Sequence, residues 1–198
     1  MVWRAPAGTI SSIENQPTDW SPDGTHLLVQ SRRKDTKWDL WLLPLSGDQK
    51  AQELIHTPSN EGQGQFSPDG RWVAYASDES GRLEVYVQPF PLTPAKWPVS
   101  VAGGMLPAWR RDGKELFFFE PGSTRMMAVD VVTDKEDFGS EKPHLLFQLP
   151  TIASTHASEP GSHYGVTPDG QRFLVVVTDE TPVQSLNVIV NWSSDLPR

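Results

Sequence analysis

The sequence contains no cysteine, which excludes disulfide bonds, thiolate metal ligands and a cysteine nucleophile. No apolar run approaches the ~18 residues of a membrane helix, so we expect no membrane insertion. Positive charge is scarce, because 17 Lys and Arg against 25 Asp and Glu give a formal net charge of −8. Since phosphate-binding surfaces need clustered positive charge, we expect no nucleic-acid partner.

Recognised catalytic motifs are also missing. There is no Gly-x-Ser-x-Gly nucleophile elbow, no His-Glu-x-x-His zinc motif and no kinase signature. His156, Glu159 and His163 could supply metal ligands, but their spacing matches no known metal motif. We therefore predict no catalytic residue, no metal site and no cofactor.

Chain-reversing and aromatic residues are plentiful, with 18 Pro, 15 Gly and 8 Trp. One five-residue pattern, an aromatic or apolar residue followed at the fourth and fifth positions by Asp-Gly, occurs four times. The first two intervals between successive copies of the pattern fit the roughly 40–50 residues of a propeller blade, and the last interval is longer. The four copies are Trp20–Gly24, Phe66–Gly70, Trp109–Gly113 and Val166–Gly170.

The residues after each Asp-Gly pair predict β-strands. Asp-Gly favours a tight hairpin turn, and each pair is followed by two β-prone apolar runs and, in the first three repeats, a weaker third run. No stretch has sustained helical periodicity. The sequence therefore predicts an all-β protein of four-stranded antiparallel blades. The first run of each repeat covers residues 27–29, 72–75, 116–119 and 173–177.

Three segments, 60–75, 84–91 and 109–117, resemble the TolB-like (WD-like) propeller repeats of bacteria. The segment 188–192 resembles the last strand of the propeller found C-terminal to some bacterial serine/threonine kinases. The resemblance implies a β-propeller, and the three whole and two partial repeats of this chain correspond to about four to five blades. It also favours a periplasmic or extracytoplasmic location, with the cytoplasm left open.

The repeat spacing divides the chain into blades of one propeller domain, residues 1–198. Both ends of this division are partial blades, so we expect an incomplete or truncated propeller whose open ends could join two copies in a homodimer. The predicted units are a partial blade at 1–16, blades at 17–58, 59–100 and 101–150, an inserted loop at 151–162 and an incomplete last blade at 163–198.

The predicted function is a non-catalytic scaffold that binds a protein, a peptide or a small ligand as a sensor or interaction domain. The alternatives are an accessory domain gating a prolyl oligopeptidase-like hydrolase and a propeller lyase acting on acidic sugars. Candidate binding residues are polar side chains that the strand pattern places on one face of the propeller. They are Arg32, Arg33, Asn60, Glu61, Gln63, Asp78, Glu79, Arg125, His156 and His163.

Overall fold

A computed structural model describes residues 12–33, 37–133, 137–149, 164–177 and 185–190, and sixteen β-strands in four antiparallel sheets make up the regular structure of these ranges. The predicted all-β class of antiparallel blades is confirmed. No helix within these ranges is long and apolar enough to cross a membrane.

The first two sheets each contain four strands that pair in chain order. The first sheet is formed by β1 (Ser12–Trp20), β2 (His26–Arg33), β3 (Trp38–Pro44) and β4 (Gln52–Ile55). The second is formed by β5 (Glu61–Phe66), β6 (Trp72–Ser77), β7 (Glu84–Pro89) and β8 (Trp97–Pro98).

The third sheet has five strands and the fourth has three. The third is formed by β9 (Met105–Trp109), β10 (Glu115–Phe119), β11 (Arg125–Thr133), β12 (Phe138–Ser140) and β13 (His144–Gln148). Both β12 and β13 pair with the long strand β11. The fourth sheet is formed by β14 (Tyr164–Val166), β15 (Arg172–Val177) and β16 (Ser185–Val190).

Two features differ from the strand prediction. Residues 1–16 were expected to form a partial blade, and the first whole blade was expected to begin at residue 17. Instead Ser12 already pairs with Arg33, so residues 12–16 belong to β1 of the first sheet. The second difference is the strand β12. It forms because β11 extends beyond the residues that pair with β13, and this extension pairs with β12, which begins at Phe138.

The Asp-Gly pairs form the turns between the first two strands of each sheet. The glycine of each of these four pairs has a φ between 71° and 73°, a conformation that residues with a side chain rarely adopt. Each aspartate of these four pairs accepts, through Oδ1, a backbone N–H two residues later, so the predicted hairpin turns are confirmed. The donors are Thr25 at 3.0 Å, Arg71 at 3.1 Å, Lys114 at 3.1 Å and Gln171 at 3.0 Å.

The same turns stack neighbouring sheets against one another. A Cβ added at Gly70 would lie 3.7 Å from Pro22 in the turn of the preceding sheet, and one at Gly113 would lie 3.9 Å from Pro68. At Gly170 the neighbour is the Arg110 side chain, and the distance falls to 2.8 Å. The turns therefore pack sheet on sheet at one rim.

Apolar side chains fill the spaces between consecutive sheets. Leu28 and Leu42 of the first sheet form a buried cluster with Phe66 and Val73 of the second. Larger clusters join the second sheet to the third and the third to the fourth. Their largest members are Trp72, Trp109, Phe118 and Phe138 in one, and Phe117, Phe119, Tyr164 and Phe173 in the other.

The aromatic residues that open the second and third repeat patterns, Phe66 and Trp109, anchor their strands to the preceding sheet. The Phe66 N–H donates to Asp19 Oδ2 at 2.7 Å, and Trp109 Nε1 donates to the Gln65 carbonyl at 3.4 Å. The exposed fraction is 5% for Phe66 and 8% for Trp109 but 58% for Trp20, which occupies the same position in the first sheet. The anchor is therefore buried only where a described sheet precedes it.

This difference predicts unequal effects at three equivalent aromatic positions. Phe66→Ala and Trp109→Ala should each lower the free energy of unfolding by about 3–5 kcal/mol, the usual cost of deleting a buried aromatic. Trp20→Ala should cost about 1 kcal/mol or less, because the side chain is mostly exposed. Urea denaturation of the three variants measures this, and equal losses at all three positions would contradict the assignment.

The turn aspartates should also make the fold sensitive to acid. Hydrogen bonds from Ser21 and Thr25 lower the pKa of Asp23 to about 2. The pKa values of the other three are also lowered, at Asp112 mainly by Arg110, at Asp169 mainly by Thr167, and at Asp69 by hydrogen bonds that outweigh its burial. Since the depressed values belong to the folded state, their contribution is complete above the unfolded pKa, near 4, and is lost as the pH falls towards 2.

Chemical denaturation between pH 6 and pH 2 tests this expectation. The wild-type chain should lose stability below about pH 4, and a variant with all four aspartates replaced by asparagine should show a shallower dependence there. The raised pKa values of Asp19, Glu61 and Glu115, each caused mainly by burial, affect stability above that window instead. Identical pH profiles for the two proteins below pH 4 would refute the assignment.

Candidate functional site

The first strands of three sheets carry a β-bulge at the same place, two or three residues before the anchor aromatic. In β1 the pairing jumps from Pro17 to Asp19, which leaves Thr18 without a cross-strand partner residue. The pairing of β5 and of β9 shifts in the same way, at residues 63–64 and 106–107. A bulge bends its strand and redirects the backbone N–H, so all three strands present polar groups to their neighbours here.

Two bulge residues adopt left-handed backbone conformations, Gln63 with a φ of 58° and Leu106 with a φ of 55°. Glycines flank Gln63 because side chains would not fit beside it. A Cβ at Gly62 would lie 2.9 Å from Gln30 Oε1, and one at Gly64 would lie 3.1 Å from both Leu40 methyls. The Gly-Gln-Gly segment thus permits both the strained backbone and the close approach of the first sheet.

A belt of hydrogen bonds runs through these bulges from sheet to sheet. Gln30 Nε2 donates to Gln16 Oε1 at 2.6 Å, and Gln30 Oε1 accepts the Gln63 backbone N–H at 2.8 Å. Gln63 Oε1 in turn accepts the Leu106 N–H at 2.6 Å. The Tyr164 hydroxyl completes the belt by donating to the Leu106 carbonyl at 2.8 Å. All four sheets are joined in this way.

A cavity of about 230 Å³ lies where the first strands of the four sheets converge. Its wall combines side-chain amides and hydroxyls with apolar groups, and it borders the hydrogen-bond belt. The lining residues are Gln16, Pro17, Thr18, Gln30, Gln63, Gln65, Leu106, Pro107, Ala108, Trp109, Tyr164, Gly165 and Val166.

The cavity lining is electrically neutral over the part of the chain that the structure describes. No carboxylate, imidazole, ammonium or guanidinium group is among the lining side chains. Tyr164 is the one titratable lining residue, and burial raises the pKa of its hydroxyl above the usual range. That hydroxyl lies 3.3 Å from the Phe117 carbonyl in addition to the Leu106 carbonyl, so it stays protonated.

Two polar atoms at the cavity lack hydrogen-bond partners within the described ranges. They are Nε2 of Gln63 and Oγ1 of Thr18, and both are buried. The Gln63 amide is held in place because its Oε1 already accepts the Leu106 N–H. Buried donors without partners carry a desolvation cost of about 1–3 kcal/mol each. Almost no surface of either atom is accessible, so neither is exposed to the cavity.

A second polar group lies at the ends of β5 and β6 and contains two predicted site residues, Asn60 and Asp78. Asp78 accepts the Asn60 N–H at 2.9 Å and the Asn60 Nδ2 amide at 2.6 Å, and Asn60 Oδ1 accepts the Trp38 N–H at 3.2 Å. Lys37 lies 4.0 Å from Asp78. These bonds join the first two sheets, so Asn60 and Asp78 have a structural role at this edge of the propeller.

Glu61 was predicted to lie on a binding surface, but its side chain is fully buried. It accepts hydrogen bonds from the Thr57 hydroxyl and from the Thr57 N–H, the latter at 3.3 Å. Burial raises the pKa of Glu61, and the nearby charges of Asp39 and Glu79 add to the effect. Gln63, also predicted as a surface contact, is a buried member of the belt and lines the cavity.

The remaining predicted residues are scattered. Arg32 is exposed near the end of β2, and the backbone of Arg33 follows it in the strand. Glu79 pairs with Lys96, and Arg125 lies 3.2 Å from Glu120. His156 and His163 lie outside the described residues. The structure does not bring these residues into one site, and their role in binding stays a prediction.

The sequence prediction missed most of the cavity lining, including Gln16, Thr18, Gln30 and Tyr164. The Gly-Gln-Gly segment at 62–64 was the one available signal, because two glycines within a strand indicate a bulge or a close backbone approach. Nothing local marks Leu106, whose left-handed backbone is imposed by its bond to Gln63 in the preceding sheet.

Comparison of the sequence with protein-family models and with curated proteins finds no match. Among solved structures, the chain is similar to TolB from Acinetobacter baumannii, with a TM-score of 0.63 and 15% identity over 91% of this chain and 41% of that one. It is similar to a puromycin-hydrolyzing peptidase of Mycobacterium tuberculosis, with a TM-score of 0.66 and 20% identity over 89% and 29%.

A third similar structure is an auxiliary nutrient binding protein from Bacteroides thetaiotaomicron, with a TM-score of 0.59 and 13% identity over 86% of this chain and 43% of that one. The chain thus spans less than half the length of each of these three proteins. Their likeness confirms the predicted TolB-like β-propeller fold, which hosts both binding proteins and enzymes.

The belt predicts that Gln30 matters more for stability than its neighbour in the cavity wall, Gln65. Gln30→Leu should lower the free energy of unfolding by about 1–3 kcal/mol, because the Gln63 N–H loses its acceptor in a buried place. Gln65→Leu is the matched control and should have a smaller effect. Hydrogen exchange should accelerate at the amides of Gln63 and Leu106 in the first variant alone. Unchanged exchange at both amides would contradict the belt.

Proposed function

We propose that this chain is a binding propeller that holds a ligand where its inner strands converge and does not catalyse a reaction there. The neutral lining of the cavity is the observation that supports this proposal. General acid–base and nucleophilic catalysis need a group that can exchange a proton near neutral pH or an activated nucleophile. Amides, a buried tyrosine hydroxyl and apolar side chains can bind and orient a molecule, but they supply neither function.

The mixed lining of the cavity also favours binding. A ligand site commonly combines an apolar wall with a few polar groups that fix orientation. Leu106, Pro107 and Val166 provide the apolar part of the lining, and glutamine side chains provide the polar part. The belt holds Gln63 and Leu106 on strands of different sheets, which reduces the conformational entropy that is lost on binding.

A role as the accessory domain of a hydrolase is the second candidate. The likeness to the Mycobacterium tuberculosis peptidase supports it, since the chain matches 29% of that protein and leaves room for a separate hydrolase unit. In this arrangement the propeller would still bind and would leave chemistry to another domain. A lyase acting on acidic sugars needs clustered histidine and arginine near the cavity, and the described lining includes neither.

The proposal predicts that the 198-residue chain does not hydrolyse amide or lactone substrates. Incubation with aminoacyl p-nitroanilides and with simple lactones should give rates equal to those of the buffer, because the described residues of the cavity lining include no group that transfers a proton near neutral pH. A screen of metabolites by thermal denaturation should instead find compounds that raise the melting temperature.

Size-exclusion fractions provide the control for contaminating enzymes. Hydrolysis that follows the 22.1 kDa chain through the column and scales with its concentration would overturn the proposal. A denatured sample of the same preparation gives the background rate.

A further inference from the structure

We propose that two copies of this chain dock head to tail, with the first sheet of one copy packed on the fourth sheet of the other. Consecutive sheets of the chain already form such an interface three times, each time through a buried apolar cluster. The first and fourth sheets each present one half of the same interface, and no described sheet covers either half. The inference concerns a protein–protein surface and does not depend on a ligand in the cavity.

The fourth sheet exposes apolar side chains on the face that would contact a following sheet. In the first three sheets, the fourth residue after the Asp-Gly glycine is buried in a cluster with the next sheet. The exposed fraction at this position is 0% in those three sheets and 41% in the fourth. The sixth residue is likewise buried in the first three sheets and half-buried in the fourth. The fourth-position residues are Leu28, Ala74, Phe117 and Leu174, and the sixth-position residues are Gln30, Ala76, Phe119 and Val176.

Leu174 faces away from the third sheet because side chains alternate along a strand. Its neighbours Phe173 and Val175 are fully buried in the cluster that joins the third sheet to the fourth. The opposite face of β15 is therefore the one that a further sheet would cover.

The first sheet exposes the complementary half of the interface. Trp20 stands where Phe66 and Trp109 anchor the second and third sheets to their predecessors, but 58% of it is exposed. Leu27 is half-buried, whereas the equivalent residues of the other three sheets are fully buried. The rest of this face is a buried cluster, so the open surface is centred on Trp20. The cluster contains Val29, Trp41 and Leu43.

The interfaces within the chain predict a contact for the docked pair. Trp109 Nε1 donates to the carbonyl of Gln65, the residue before the anchor of the preceding sheet. The same register places the Trp20 indole beside the Gly165 carbonyl of the second copy. Gly165 is exposed, and a Cβ added there would meet no atom within 4 Å, so this position has room for an indole ring.

The two faces favour a second copy because each is the missing partner of the other. Within the described ranges, no buried cluster joins the first sheet to the fourth, so these faces do not cover each other inside one chain. Exposed apolar surface marks interaction sites, and a tryptophan that becomes buried commonly contributes much of the binding free energy. Since the two halves differ, the contact is heterologous and joins unlike surfaces of two copies.

Sedimentation velocity of the 198-residue chain, from low to several hundred micromolar, tests the docking. About 0.15 M salt screens the repulsion between copies that each carry a net charge of −8. The wild type should shift with concentration from 22.1 kDa to about twice that mass. Trp20→Glu and Leu174→Glu should each raise the dissociation constant by about tenfold or more. Val101→Glu adds the same charge at a side chain that is 70% exposed outside both faces, and it should associate like the wild type.

A mixture of the two interface variants tests the direction of the contact. Copies with Trp20→Glu keep an intact fourth sheet, and copies with Leu174→Glu keep an intact first sheet. Equimolar mixing should therefore restore a dimer that neither variant forms alone. Head-to-head or tail-to-tail contacts would not be restored by mixing, so a mixture that stays monomeric would overturn the proposal.

A second measurement does not alter the interface. Because the chain has no cysteine, Thr25→Cys and Gln171→Cys place one fluorescent label each on exposed turn residues of the first and fourth sheets. The turns of consecutive sheets pack together within the chain, as Pro22 does against Gly70. Energy transfer should be efficient between a donor on Gln171→Cys copies and an acceptor on Thr25→Cys copies. It should be weak when donor and acceptor copies both carry Gln171→Cys.

Three further results would overturn the proposal. They are a wild-type chain that stays monomeric at every concentration, association of Trp20→Glu and Leu174→Glu equal to that of Val101→Glu, and equal energy transfer in the two labelled pairs. A monomer would mean that something other than a second copy covers these faces.

Discussion

The inner strands of this propeller depend on one backbone constraint, the bulge that turns a peptide N–H towards the neighbouring sheet. A regular strand would direct its backbone bonds within its own sheet, and the belt of hydrogen bonds between adjacent sheets would be lost. The left-handed residues Gln63 and Leu106 instead present their N–H groups to acceptors on the preceding sheet. Apolar packing between blades is non-directional, whereas these buried bonds fix the position of each inner strand relative to the next.

The belt and the stacked Asp-Gly turns hold each blade at two places. The turns pack at one rim, where Pro22 and Pro68 lie against the glycines of the following blades, and the belt joins the strands beside the cavity. The outer strands contribute less to these contacts between sheets. In the second sheet β8 contains only Trp97 and Pro98, and side-chain packing of Trp97 on Trp72 and Phe138 extends its contribution.

Local sequence signals predicted the turns and most strands, because their causes are local. Asp-Gly needs only its own backbone and the next residues to form a turn, and β-prone apolar runs follow each pair. The strand β1 was misassigned because its sequence, Ser-Ile-Glu-Asn-Gln-Pro-Thr-Asp-Trp, has neither alternation nor an apolar run. Its polar residues are explained by partners in space, such as Gln30 for Gln16 and the Phe66 N–H for Asp19.

The candidate site was harder to predict for the same reason. Asn60, Glu61 and Asp78 were predicted as binding residues because the strand pattern places them on one face of the propeller. In the structure, all three make hydrogen bonds within the protein. Gln63 was selected as a surface contact and is buried at the bulge. A single sequence shows which residues stand near a strand end, but the direction of a bulged N–H depends on the acceptor that the neighbouring sheet supplies.

The groups that join the blades also form the wall of the cavity, so stability and binding share the same residues. Gln63 uses its oxygen for the belt and leaves its amide nitrogen without a partner, and Thr18 is the extra residue of the bulge in β1. A change at Gln63 therefore acts on the bond to Leu106 and on the polarity of the cavity wall at the same time. A ligand that binds only the folded chain would in turn stabilise the strands that form this wall, because binding shifts the folding equilibrium towards the folded state.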